Sequence, residues 1–298
     1  MPLRRSALIY NPASGRQAGQ RLLASLETEL RRSGYDVEPM PTSAPGDATH
    51  LAIDLVERGD LEVVFAVGGD GTLREVAAGL LGSDVALAPL AAGTANVLTY
   101  ELGVPRRPLP AARAYAKAEV REMDVGLAGD IPFLMMASCG LDAQVMAHQS
   151  SLWKRRLGVA AVGLSGLGHW WRFDYPEIEL RFDGRRERVG FFSLCNIPFF
   201  GGPIRLAPRA EVLDGELDLV LFRGRSRWST VGFASAVALG RHERRGDVEI
   251  HRVREVELVG PCPVGLQVDG DVLPVDLPLR LSVAPQRLKV LAVPPPRR

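Results

Sequence analysis

The chain lacks most of the features that settle a protein's class at a glance. No apolar run is long enough to span a bilayer. The N-terminal MPLRRSALIYNP holds only the apolar run ALIY, which is too short for the core of a secretory signal. Neither sign of charge dominates: 36 Lys and Arg stand against 35 Asp and Glu, a net charge of +1. No global field therefore recruits nucleic acid or an anionic membrane, and any such contact must come from a local patch. Cysteine is scarce. Cys139, Cys195 and Cys262 are far apart, form no metal or redox spacing, and read as small buried residues of a reducing compartment. These absences predict a cytoplasmic protein that binds no nucleic acid. What is present is ordinary: 298 residues, 46% hydrophobic and 24% charged, enough for two soluble domains or one large one.

The most informative stretch is Leu61–Val76, LEVVFAV-GGDGT-LREV. A β-branched and aromatic run suits a buried strand. Gly68, Gly69 and Gly71 follow and allow close backbone approach by a ligand. Thr72 can cap a helix after them. A helix start aimed at such a turn offers unpaired N–H groups and a partial positive charge, which suits phosphate. Asp70 is the odd member, because a carboxylate in a phosphate cradle repels its ligand unless a cation intervenes or the acid is protonated. The loop is neither a Walker A sequence nor G-x-G-x-x-G. A tight turn with a solvated aspartate is the plain alternative.

Elements around this stretch alternate. Ser6–Tyr10 reads as a strand, followed by the turn Asn11–Gly15 and a helix over Arg16–Ser33 with Leu22, Leu23, Leu26 and Leu30 at helical spacing. Tyr35–Pro39 is a strand, then Thr42, then a helix over Gly46–Arg58. Val85–Pro89 is a strand, followed by the loop Leu90–Asn96 and a helix through about Leu102. The alternation predicts a parallel sheet flanked by helices. The polar turns at Asn11, Thr42, Gly68–Thr72 and Gly93–Asn96 all follow strands, and ligands bind at the carboxyl ends of such strands. The four loops are therefore expected to converge on one nucleotide.

Composition changes near Met123. From Asp124 to residue 285 the pattern is mostly strands, with turns such as Asp183-Gly184 and Asp269-Gly270, and predicts a β-sandwich. One helical interruption, Gln149–Phe173, carries Trp153, the cluster Lys154, Arg155 and Arg156, an apolar run, and Trp170 and Trp171. Tryptophan beside basic residues around an apolar run suits a membrane–water interface. A buried helix with a charged rim is the other reading.

Taken together, NPASG at 11–15, GGDGTLREV at 68–76, PLAAGTANVL at 89–98, CGLDAQV at 139–145, NIPFFGGPIRLAPRAEVLDGELDLVLF at 196–222 and VDGD at 268–271 resemble the diacylglycerol kinase catalytic-domain family, and within it the soluble bacterial lipid kinases of the YegS type. GGDGT alone also resembles NAD kinases; the other blocks are more specific. The resemblance implies an N-terminal nucleotide-binding α/β domain, residues 1–123, which the final strand at 286–298 can complete. It implies a lipid-binding β-sandwich domain at 124–285 and an active site in the cleft between the two. It implies transfer of the ATP γ-phosphate to a lipid hydroxyl, diacylglycerol or a relative, within phospholipid metabolism. Thr42, Gly68, Gly69, Asp70, Gly71, Thr72, Gly93 and Thr94 are implied ATP contacts, with Asn11 and Asn96 as additions. Asp214 is implied to hold a second, structural Mg2+, helped by backbone carbonyls near Glu211 and Glu216. The family's base motif is Asp-Gly-Glu; here it is Asp269-Gly270-Asp271, and either aspartate is a candidate base alongside the catalytic Asp70. A membrane-borne substrate implies peripheral docking, expected through Trp153–Trp171, and leaves oligomerisation open. The rivals are a kinase of a soluble substrate such as NAD, and a non-catalytic nucleotide- or lipid-binding protein.

Overall fold

The computed structural model describes residues 3–12, 16–93, 95–147, 177–260, 262 and 265–294. The chain forms two compact units, residues 1–123 with 286–298, and residues 124–285.

In the first unit β1 (Arg4–Tyr10), α1 (Arg16–Arg32), β2 (Tyr35–Pro41), α2 (Asp47–Arg58), β3 (Val63–Gly68), α3 (Asp70–Leu80) and β4 (Ala86–Ala91) alternate as expected. Two short helices, α4 (Leu98–Glu101) and α5 (Pro108–Ala114), lead to β5 (Glu119–Met123). The sheet order is β2-β1-β3-β4-β20-β5, where β20 is Leu288–Ala292. Strands β1 to β4 are parallel; β5 is antiparallel to β20. Strands β3 and β4 are buried along nearly their whole length, as helices on both faces of a parallel sheet require. Tyr35, Phe65 and Tyr115 pack edge to face at one point of this core. Tyr115 donates its hydroxyl to the Pro89 carbonyl at 2.6 Å, so the buried phenol is satisfied. Sequence periodicity misses β5, whose residues Glu119–Glu122 are all exposed, Val120 included, and present no buried face; only its pairing with β20 makes it a strand.

The second unit contains β6 (Gly126–Ala128), β7 (Ile131–Phe133), β8 (Met136–Cys139), α6 (Leu141–Ala147), β9 (Ile178–Phe182), β10 (Arg185–Val189), β11 (Phe191–Cys195), β12 (Phe199–Phe200), β13 (Ile204–Arg205) and β14 (Leu217–Phe222). Helix α7 (Arg227–Ala238) follows, then β15 (Val248–Val253), β16 (Glu255–Leu258), β17 (Leu266–Val268), β18 (Asp271–Leu273) and β19 (Leu279–Val283). Two six-stranded sheets result, β10-β9-β16-β19-β6-β7 and β15-β14-β11-β8-β17-β18, with β12 and β13 as a separate hairpin. Their inner faces interdigitate through Phe133, Phe192, Leu194, Leu219, Leu221, Leu258 and Leu281. Register puts the alternate residues of the second sheet on its outer face: Phe191 opposes Phe222, Ser193 opposes Ser138, and Ser138 opposes Gln267.

One expectation changes here. Cys139 and Cys262 form a disulfide across 123 residues of sequence. Separation along the chain concealed a neighbour relation: β8 pairs with β17, so the segment entering β17 passes Cys139. The cysteines thus give no argument for a reducing compartment; only Cys195 is free, and burial pushes its thiol up to about 12. Among the described residues no helix is long and apolar enough to cross a membrane. The segment Trp153–Trp171, Thr94, and Ala13 to Gly15 lie outside the described residues.

Candidate functional site

In the first unit the chain runs from β1 to β2 on one side, and β3 then lies on the other side of β1. The sheet order reverses at that point, which opens a crevice at the carboxyl ends of β1 and β3. Asn11 follows β1 directly. Thr42 follows β2, donating its N–H to the Tyr10 carbonyl at 2.9 Å. The Gly68–Thr72 turn ends β3, and Gly93 follows β4. All four loops therefore end on one edge of one parallel sheet.

The two glycine loops touch. A Cβ built on Gly93 would fall 2.6 Å from the Gly69 Cα, and one on Gly68 would fall 2.5 Å from Thr72. Both positions exclude a side chain. Helix α3 begins at Asp70, three residues earlier than a Thr72 cap would place it, so Thr72 sits in the first turn beneath Gly68. The N–H groups of that turn have no acceptor within the helix and face the strand ends. Asp70 accepts the Val97 N–H on Oδ1 at 3.1 Å and so links α3 to the entry of α4. Asn96, buried and with φ 49°, accepts the Gly93 N–H on Oδ1 at 3.0 Å and donates Nδ2 to the Gly93 carbonyl at 2.9 Å. Its amide closes the loop upon itself, and asparagine tolerates the left-handed backbone this demands.

In the second unit the two carboxylates of the Asp-Gly-Asp turn differ sharply. Asp269 is 4% exposed, with φ 49°. Its Oδ2 accepts the Leu134 N–H at 2.7 Å, and its Oδ1 accepts Met135 and Met136 N–H at 2.9 and 3.0 Å. Three backbone donors thus anchor the β17–β18 turn to the strand entering β8. Asp271, the first residue of β18, is exposed.

Beside this hairpin lies a polar cluster that sequence reading passed over. Helix α6 packs on β8, β17 and β18 and brings Asp142 2.5 Å from Ser138 Oγ, which lies 2.8 Å from Gln267 Oε1. Burial pushes the Asp142 carboxyl up to about 6, against the opposing effect of the Ser138 hydroxyl. Ser138 has one proton and two acceptors. When Asp142 is ionised Ser138 donates to it; when Asp142 is protonated, the acid can donate to Ser138, which then donates to Gln267. A glycine followed by a lone acid, Gly140-Leu141-Asp142, was the available signal.

The residues expected around a magnesium ion, Glu211, Asp214 and Glu216, lie in the turn that precedes β14. Among the described residues no three His, Cys, Asp or Glu side chains are placed to hold a metal ion. Arg252 stands 3.5 Å from Glu211 and 3.5 Å from Asp214, and Arg254 stands 3.8 Å from Glu216. Asp214 Oδ1 accepts the Glu216 N–H at 3.0 Å, and the buried Asp124 accepts the Gly215 N–H at 2.7 Å, which shapes the turn without an ion. Arginines stand beside these acids, yet the buried Asp214 Oδ2 has no hydrogen-bond partner among the described residues. Asp218, on β14 beside them, is pushed up to about 6 by burial, against the nearby Arg252 and with Asp214 and Glu211 adding to the rise.

The comparisons with known proteins agree with these two folds. Residues 5–128 match the diacylglycerol kinase catalytic domain, and residues 135–292 match the YegS C-terminal NAD kinase beta sandwich-like domain. A diacylglycerol kinase of Bacillus subtilis is 28% identical over 274 residues, 90% of each chain. A protein of Pseudomonas putida, described as a probable lipid kinase, YegS-like, is 36% identical over 211 residues, 70% of this chain and 71% of its own. The crystal structure of a diacylglycerol kinase from Bacillus anthracis superposes with a TM-score of 0.78 at 21% identity, covering 99% of both chains. With both domain models matched in order, the chain belongs to the diacylglycerol kinase-like, YegS-like lipid kinase family.

Proposed function

We propose that the protein transfers the γ-phosphate of ATP to a lipid hydroxyl, diacylglycerol or a related lipid. The observation that carries this reading is the pair of abutting glycine loops at the switch point of the parallel sheet. Such a pair leaves backbone N–H groups open to phosphates and leaves no room for side chains between. Phosphoryl transfer asks a protein chiefly for positioning and charge compensation. Gly68 to Thr72 would cradle the phosphates, with Gly93 as the facing wall and Asn96 as the brace that holds Gly93. Asn11 and Thr42 stand at the neighbouring strand ends, where ribose or base would lie. Asp70 ties the two loops through Val97, and its negative charge favours a nucleotide that arrives as its magnesium complex.

Asp271 is the proposed base. Asp269 has its carboxylate engaged by three N–H groups, which leaves it poorly placed to take a proton from an acceptor. Asp271 is exposed and held by the turn that Asp269 anchors. Aspartate is one methylene shorter than the family's glutamate, so the acceptor hydroxyl must approach this hairpin closely to reach hydrogen-bond distance.

The test is phosphate incorporation from γ-labelled ATP into a panel of diacylglycerol, phosphatidylglycerol and a sphingoid base in mixed micelles, with NAD as the soluble competitor. Label in a lipid supports the reading. Label in NAD alone, or ATP binding without transfer to any acceptor, assigns the chain to one of the two rival classes.

A further inference from the structure

Helix α7, Arg227–Ala238, is apolar on two faces. One face is accounted for: Phe233 stacks on Phe222 with ring centroids 4.3 Å apart and packs against Phe191 at 5.6 Å, and Val237 is buried beside it. This side covers the outer face of the sheet β15-β14-β11-β8-β17-β18, the face that also carries Ser138 and Gln267. The other face is exposed. Trp228 is 76% exposed, Leu239 69% and Val231 41%, and Ala238 is exposed among them. At 100° per residue these four positions fall within one stripe of about 100°, interrupted by the exposed Ser235. A helix that only covers a sheet turns polar residues outward; this one turns a tryptophan and a leucine.

The flanks are basic. Between Arg223 and Arg245 the chain has six arginines and one glutamate, and α7 itself contains no acid. Arg225 and Arg227 lie at its start; Arg241 and Arg244 follow its end and are exposed. Much of this charge is compensated within the protein, Arg223 by Glu187 and Glu249, Arg225 by Glu177 and Arg245 by Asp247, and Glu243 is engaged by Arg209. The C-terminal end keeps the exposed Arg241 and Arg244, and the stripe before it is mainly apolar. An exposed stripe running into a basic end suits an anionic lipid surface, where the stripe enters the headgroup boundary and Arg241 and Arg244 meet phosphates. A second copy of the chain suits it less well, because parallel pairing of α7 with itself brings the arginine ends together.

We infer that α7 is a membrane-docking surface that lies on anionic bilayers through Trp228, Val231, Ala238 and Leu239. The inference rests on the reading that the acceptor is a membrane lipid. It places the contact in a different segment from Trp153–Trp171.

The test uses the full chain and needs no turnover. Vesicles of phosphatidylcholine with about 30% phosphatidylglycerol, and of phosphatidylcholine alone, are sedimented with wild type, W228S, the double variant W228S/L239S and the double variant R241Q/R244Q. The serine double variant should lose about tenfold or more in partitioning to the anionic vesicles. The arginine variant should lose affinity only on anionic vesicles, and the wild type should weaken there with added salt. Activity on a short-chain, water-soluble acceptor should be unchanged in all variants, which shows that they are folded; W228S alone alters a side chain too exposed to threaten folding. Unaltered vesicle binding in W228S and W228S/L239S overturns the inference. So does a wild-type dimer that W228S/L239S converts to monomer while vesicle binding persists, because a second copy would then own the stripe. If no lipid is phosphorylated but the variants still lose vesicle binding, the acceptor reading fails and the docking surface stands.

Discussion

Replacing Asp269 by asparagine separates an anchor from a base. Asparagine keeps the size of the side chain and tolerates the left-handed φ of 49°. Its single carbonyl oxygen can still accept Met135 and Met136 N–H, but its NH2 group then faces the Leu134 N–H, now 2.7 Å from the carboxylate oxygen. Two donors meet, one charge-assisted bond is lost outright and two are weakened. A lost bond that leaves a buried donor unsatisfied costs about 1–3 kcal/mol, and bonds to a charged acceptor are about twice as strong as neutral ones. The expected loss is about 3 kcal/mol, carried by the second unit. For a unit of this size that is a fall of roughly 6–12 °C in its melting temperature. Two transitions are expected from two units, so the assay is scanning calorimetry with hydrogen exchange at the amides of Leu134, Met135 and Met136. Asp269→Asn should lower one transition and speed exchange at those amides. Asp271→Asn should do neither, because its side chain is exposed. Asp269→Asn with full thermal stability, unchanged amide protection and lost turnover would refute the anchor role.

Three further outcomes follow from the same geometry. Asp70→Asn retains an oxygen for the Val97 N–H but loses its charge, and should cut turnover on the order of 100-fold with the fold intact; Asp70→Ala should also loosen the loop after β4, read as faster exchange of the Val97 amide. Gly93→Ala sets a Cβ against backbone 2.6 Å away, which cannot yield as a flexible side chain would, so ATP affinity measured by calorimetric titration should fall at least about tenfold. Asp142 has a folded-state value raised from 3.8 to about 6, so the folded state holds its proton more tightly than the unfolded chain does, and the group subtracts stability as pH rises through that window; Asp142→Asn should therefore gain stability over wild type, with the gain about 1 kcal/mol larger at pH 8 than at pH 5 by denaturant unfolding.

The sequence carried the α/β pattern of the first unit because β3 and β4 are continuous apolar runs between helices with clear periodicity. It carried the position of the loops because glycine and asparagine turns mark the ends of strands, whether or not they bind a ligand. Three things escaped it for physical reasons. The Cys139–Cys262 bond depends on β8 meeting β17, a pairing between segments 123 residues apart that no local pattern encodes. Helix α7 hid because both of its faces are apolar, so its hydrophobicity does not vary with a helical period. The unequal roles of Asp269 and Asp271 are invisible in a three-residue motif: burial and three backbone donors from a distant strand distinguish them. The arginines beside Glu211, Asp214 and Glu216, which are Arg252 and Arg254, lie about forty residues further on and were equally invisible to a local pattern.

The most direct test of the account is a single-turnover measurement of phosphate transfer from γ-labelled ATP to diacylglycerol in mixed micelles, comparing wild type with Asp271→Asn while ATP affinity is measured in parallel. The account predicts transfer by the wild type, a loss of about 100-fold or more in the variant, and unchanged ATP affinity, because a base acts in the transition state and not in nucleotide binding. Transfer by Asp271→Asn at the wild-type rate would contradict it.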